Sequence, residues 1–312
     1  MTVRACQPRN LAGLASAPVG PTMGHMLSHR VVNALHTVLY LAAMTGLLSL
    51  VGLLLAGWTG VFLAAAAVIG LALSGRGAPT WFALRLHGAR LLAPWHAPEL
   101  HSTVAALAER AELPALPTLY CLPTGLMTAF TTGDRERPAL CVSEGLLRGL
   151  GSRELIGVLA HEVAHVQHGD AAVMAVASTI SRVTGFLSRM GQLLLFINLP
   201  LLMVGATTVS WGAIGLLIAA PTISDLLQLA LSRRREFEAD LGGARLTGDP
   251  RALASALSKI ERQQRARLRH VLLPGNRGAS PSLLNTHPAT GERIRRLSEL
   301  AECPTWQACR LR

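Results

Sequence analysis

The densest chemistry in the chain lies in five consecutive residues, His161-Glu162-Val163-Ala164-His165. Residues four apart stack on one side of an α-helix, so His161 and His165 can direct two imidazole nitrogens at one metal ion. Glu162 stands one step around the helix, where its carboxylate can reach a water held by that ion. Such a water has its pKa lowered towards neutrality, and a carboxylate that takes its proton makes it a nucleophile. The pair needs a third protein ligand. A third histidine in the His-Glu-x-x-His-x-x-Gly-x-x-His pattern is excluded, because positions 168 and 171 hold His168 and Ala171. His168 is close to the same face, but three histidines from one helix strain the geometry around one ion. Asp170 is expected to end the motif helix after Gly169, in a packing role.

The other source is a carboxylate on a later helix. Ser232-Arg233-Arg234-Arg235-Glu236-Phe237-Glu238-Ala239-Asp240 places Glu236 and Asp240 on one helical face and turns Glu238 away. Glu236 would complete a His₂Glu set. Asp240, one turn on, could accept a hydrogen bond from the free nitrogen of a bound histidine and fix its tautomer. The plainer reading, which spacing alone favours, makes these acids solvated charges paired with Arg233 or Arg235.

Several elements must hold these groups in place. The motif helix has Ser152 as its expected N-cap, Glu154 in the first turn, and Leu155, Val158 and Leu159 on a common face. Pro98–Glu112 reads as an amphipathic helix with Leu100, Val104, Leu107 and Ala111 on one side. Short strands are predicted at Thr118–Leu122, Met127–Thr131 and Ala139–Val142, giving a small sheet whose edge could take an extended peptide. Asp249-Pro250 opens a helix running to about Arg269, and Leu272–Asn285 reads as a loop bordering the cleft.

Composition sets the remaining architecture. Half of the 312 residues are hydrophobic and 15% are charged, yet the net charge is +11. A typical soluble domain has about 25% charged residues, so disorder is excluded and a membrane protein with a basic soluble part is favoured. Five cysteines, a low and odd number, exclude a disulfide scaffold and suggest free thiols. Residues 31–75 carry no charge, and residues 190–232 carry only Asp225. Each run has room for two spans. We expect hairpins at Leu35–Ala56 with Val61–Leu73, and at Leu193–Val209 with Gly212–Leu231, broken near Gly57-Trp58-Thr59-Gly60 and Ser210-Trp211-Gly212. Pro200 and Pro221 would kink the second pair. Asp225, an acid inside an apolar segment, is functional by default, but it lies about two turns from the expected cytoplasmic end, where it could simply face the catalytic cleft. No arginine lies at either hairpin tip, so the positive-inside rule puts residues 76–189 and 233–312, together with both termini, in the cytoplasm. Residues 1–30 are expected to be a disordered extension, and Met23 or Met26 could be the true start. The basic stretch Arg262, Arg265, Arg267 and Arg269 lacks interleaved aromatics, so no nucleic-acid partner is expected. Anionic lipid or simple solvation accounts for it.

Residues 98–300 resemble the catalytic domain of the HtpX-type membrane zinc metallopeptidases, relatives of the CAAX prenyl proteases. The matching residues are His161, Glu162, His165, Gly169 and Asp170, then Ser232, Arg233, Glu236, Ala239 and Asp240, with His287-Pro288 before the last helix. The family's Asn-Ala-Phe-Ala-x-Gly is here Thr128-Ala129-Phe130-Thr131-Thr132-Gly133, so Thr128 departs from the pattern. The resemblance implies a mainly α, gluzincin-type domain with a small sheet and four transmembrane helices in two hairpins. It implies one Zn²⁺ per chain on His161, His165 and Glu236, with Glu162 as general base, Asp240 behind a ligand and His287 as a candidate oxyanion donor. His287 reads alternatively as a cap-region residue of a helix over Pro288–Leu300. The function so implied is a membrane-integral endopeptidase of the inner membrane, acting on protein or peptide substrates in membrane-protein quality control. A CAAX-type processing protease and a non-catalytic metal-binding scaffold are the alternatives.

Overall fold

The structure, a computed structural model, describes residues 24–74, 80–197, 199–205, 211–272 and 290–302. His287 and most of the expected cleft-bordering loop lie outside the described residues. Ten helices and four strands follow in order among the described residues: α1 (Gly24–Ser74), α2 (Thr80–Leu86), β1 (Arg90–Leu91), α3 (Pro98–Arg110), β2 (Thr118–Leu122), β3 (Ala129–Thr132), β4 (Ala139–Ser143), α4 (Glu144–Gly149), α5 (Ser152–His168), α6 (Asp170–Ile197), α7 (Leu199–Met203), α8 (Trp211–Thr247), α9 (Pro250–Leu272) and α10 (Thr290–Glu302). The chain divides into two compact units. One comprises residues 78–171 and 233–312, the other residues 23–77 and 172–232.

In the first unit the sheet order is β1-β2-β4-β3, with β2 and β4 parallel and the outer strands antiparallel to their neighbours. Strand β4 is buried at every position, as a central strand must be, and β3 is the edge strand beside it. The apolar face expected on the first amphipathic helix is present: Leu100, Val104, Leu107 and Ala111 are buried in one core with Leu119, Leu140, Leu155, Leu159, Leu253 and Leu297. The N-cap of α5 is Gly151 rather than Ser152. Glu154, three residues on, accepts a hydrogen bond from the Gly151 N–H at 2.8 Å, which helps hold that terminus. Helix α5 ends at Gly169, whose φ of +67° suits glycine. Cys141 is a buried free thiol, pushed up to about 12 by burial and by the nearby Glu162 carboxylate.

The second unit contains the apolar runs. Among the described residues, three helical stretches are long and apolar enough to cross a membrane: Ala34–Gly70, Asp170–Ile197 and Gly212–Thr247. The first is not straight. Ala56 and Gly57 leave helical geometry, Gly57 at φ +60°, and the chain doubles back so that Gly52 and Gly60 meet backbone to backbone. A Cβ on Gly60 would lie 2.0 Å from the Gly52 carbonyl oxygen. The break thus comes at the start of the expected glycine pair. Helix α6 reaches back to Asp170, well before the expected Leu193, because Arg182 and Arg189 interrupt the hydropathy without interrupting the helix. Helix α1 likewise begins at Gly24, inside the stretch expected to be disordered. Pro200 stands at the second position of α7, where its missing N–H costs nothing. Pro221 lies inside α8 and leaves the Leu217 carbonyl without its helical donor; Gln192 Nε2 supplies one at 2.9 Å.

The Gly52–Gly60 contact gives a paired test. Gly60→Ala should lower the melting temperature of the detergent-solubilised chain, with a loss of about 2 kcal/mol or more. Gly46→Ala, in open space within the same helix, should be neutral or stabilising by about 0.5–1 kcal/mol.

Candidate metal centre and active site

Helix α5 carries His161 and His165, and the C-terminal part of α8 carries Glu236 and Asp240. What lets the two helices meet is a pair of glycines one turn beyond the acids. A Cβ on Gly243 would lie 2.9 Å from the His161 backbone nitrogen, and one on Gly242 would lie 2.7 Å from Ala164 Cβ. At that separation Glu236 reaches both imidazoles. His161 Nε2 lies 3.1 Å from His165 Nε2 and 3.4 Å from Glu236 Oε2, and His165 Nε2 lies 3.9 Å from Glu236 Oε1.

The other ring nitrogens face carboxylates. His165 Nδ1 is 2.7 Å from Asp170 Oδ2, and His161 Nδ1 is 3.1 Å from Asp240 Oδ1, off the ideal hydrogen-bond line. Each carboxylate therefore favours the proton on Nδ1 and leaves the Nε2 lone pair aimed at the space shared with Glu236. Those carboxylates are themselves held. Arg235 Nη1 donates to Asp170 Oδ1 at 2.7 Å, and Arg293 on α10 donates through Nε and Nη2 to both Asp240 oxygens at 2.7 Å. Arg293 Nη1 also lies 2.7 Å from Glu236 Oε2. Burial would raise the Asp240 carboxyl, but the Arg293 guanidinium and His161 hold it below its ordinary value.

Whether these residues suit a metal ion can be judged from the donor set and from charge. Ligand atoms around a four-coordinate ion with bonds near 2.1 Å stand about 3.4 Å apart, and the three separations bracket that value. Glu162, Asp170, Glu236 and Asp240 are buried carboxylates, matched by two buried guanidinium groups, Arg235 and Arg293. Two negative charges are left over, and unbalanced buried charge is costly. A divalent cation closes that deficit. In its absence a proton partly does so: burial lowers the His161 pKa, but Asp240 and Glu236 outweigh it and lift the imidazole to about 10.

Glu162 is buried among these charges but forms no hydrogen bond or ion pair with the described residues, and it lines an open cleft. Thr128 and Ala129 from the β3 side, Val158 from α5, and Leu253, Leu257 and Ile260 from α9 line the same cleft. Glu238 is turned away and pairs with Arg234 and Arg235, while His168 is exposed and outside the converging group. Asp170 is not the packing residue expected from the sequence; it orients His165. Its signal was present, since it lies five residues past His165 and beyond a helix-ending glycine. Arg293 had no comparable signal.

Over residues 94–301, two thirds of its length, the chain matches the description "Peptidase family M48". It belongs to that family and is by class a metallopeptidase. Similar relatives carry the name Protease HtpX homolog. One from Acaryochloris marina is 39% identical over 239 residues, which is 70% of this chain and 78% of that protein. Another from Ralstonia nicotianae is 35% identical over 289 residues, 88% of this chain and 99% of that protein. The crystal structure of S. mikatae Ste24p is similar at a TM-score of 0.44 and 17% identity, over 88% of this chain and 67% of that one.

Two outcomes follow for metal binding. Asp170→Asn should weaken metal affinity about 10–100-fold with the fold retained, measured by chelator competition. Because the raised His161 pKa means that binding displaces a proton, affinity should climb with pH from about 6 to 9, approaching tenfold per unit. A flat profile would contradict that proton assignment.

Proposed function

We propose that the chain is a membrane-integral, zinc-dependent endopeptidase in which His161, His165 and Glu236 hold the ion and Glu162 is the general base. The observation that carries this reading is the convergence of three donor atoms beside a carboxylate that forms no hydrogen bond or ion pair among the described residues. Two imidazoles and one carboxylate are a zinc set, leaving a position open for reaction. Zinc bound there supplies a Lewis acid that polarises the scissile carbonyl and acidifies water. Glu162 accepts the proton of the attacking water and returns it to the departing amine, which breaks the C–N bond without a charged leaving group. Asp240 and Asp170 keep both ligand histidines in the Nε2-binding tautomer.

The edge strand fits an extended peptide. Thr128 pairs with Ser143 through the Ser143 N–H to Thr128 carbonyl bond, so alternation turns the backbone N–H and C=O of Ala129 and Thr131 away from β4. A substrate strand laid there gains backbone hydrogen bonds that read no particular side chain. Four spans in two hairpins, a gluzincin-type domain, and cytoplasmic placement of that domain and both termini complete the reading, supported by arginine-free hairpin tips. Proteins of the inner membrane, handled in quality control, are the proposed substrates.

Casein cleavage by the detergent-purified chain tests the mechanism. Glu162→Gln should retain zinc and lose at least about a thousandfold in rate, whereas Glu236→Ala should lose zinc and Glu238→Ala should not. Unchanged cleavage by Glu162→Gln would overturn the mechanism. A prenylated peptide cleaved in strong preference to casein would move the assignment to CAAX-type processing.

A further inference from the structure

Asp225 remains outside the chemistry above. It lies eight residues before Arg233 on α8, about 12 Å along the axis into the apolar segment. A carboxylate on so short a side chain cannot reach the headgroups, and an acid at that depth requires a partner or water. Ser181 Oγ on α6 donates to Asp225 Oδ1 at 2.5 Å. That contact occupies one oxygen, and the other has no partner among the described residues. It also fixes register: Ser181 and its neighbour Arg182 stand at the depth of Asp225. Arg182 is exposed and forms no ion pair among the described residues.

The surroundings of these two charges follow one pattern. On α6, Arg182, Phe186, Arg189 and Leu193 recur at i, i+4, i+7 and i+11, and all are exposed. On α8, Ile218, Thr222, Asp225 and Leu229 have the same spacing and are likewise exposed. Each series forms one helical stripe, the spacing that lets helices pack along a seam. Arg189 stands eight residues from the end of α6, about 12 Å, a gap that a snorkelling arginine narrows. Asp225 has no such escape.

We propose that this α6–α8 face is the interface of a homodimer, with Arg182 of each copy paired to Asp225 of the other. A two-fold axis along the membrane normal preserves depth, so groups at one level in one copy meet groups at that level in the second. Opposite charges at equal depth on adjacent stripes are therefore self-complementary, and one contact occurs twice. A lipid-facing position would leave both charges in hydrocarbon. A water-filled crevice or a different membrane partner would need no such matching of depth and sign.

The test uses the full-length chain reconstituted in liposomes, with subunits counted by single-molecule photobleaching over a dilution series. Dimers are expected. Arg182→Glu and Asp225→Arg should each raise the dissociation constant by about 30-fold or more, and the double reversal should restore it to within about threefold. Casein cleavage serves as the folding control. If the single reversals fail to insert, the paired substitution Phe186→Cys with Thr222→Cys should give a dimer-sized species under mild oxidation that the parent chain does not. Monomers at every density, dimers indifferent to both reversals, or absence of the cross-linked dimer would overturn the proposal.

Discussion

The site is organised by buried charge that does not balance without a cation. Four carboxylates and two guanidinium groups are packed around His161 and His165, nearly all out of water. Arg235 holds Asp170, while Arg293 spans Asp240 and Glu236. Neither arginine neutralises Glu162, whose carboxylate stays open to the cleft. The residual negative charge and the two Nε2 lone pairs point to the same space. An arrangement of this kind is expensive unless something positive completes it. That completion links folding of the unit to loading of the site.

The surrounding architecture can be understood as meeting that demand. Glycines at 242 and 243 remove the side chains that would keep α8 from α5. Gly169 ends α5 in a left-handed turn and allows Asp170 to come back towards His165. Ser143 fixes the strand beside the cleft, because its hydroxyl accepts from the Thr128 and Leu146 N–H groups and donates to the Leu126 carbonyl. Gln263 on α9 clamps the same segment, accepting from the Met127 N–H and donating to the Gly125 carbonyl. The edge strand is thereby held by two independent side chains.

The parts of this design that depend on periodicity could be read from the sequence. His161, His165, Glu236 and Asp240 fall at helical spacings, and Leu100, Val104 and Leu107 mark a buried face by the same rule. Strand β2 was legible to the residue. Parts that depend on tertiary approach could not be read. Arg293 is one of many arginines, and only the packing of α10 against the site distinguishes it. Gly243 looks like any helix glycine until the His161 backbone is placed against it. The start of α6 was obscured because Arg182 and Arg189 end the apolar run without ending the helix. Hydropathy reports solvent preference, whereas helix continuity follows from backbone geometry.

Zinc-edge X-ray absorption on the purified chain is the most direct test of a His161, His165 and Glu236 centre. Such a centre should show one zinc per chain bound only by nitrogen and oxygen at about 2.0–2.1 Å, two of the ligands imidazoles. Substituting Glu236 should abolish the signal. A sulfur shell near 2.3 Å, or full zinc loading without Glu236, would contradict it.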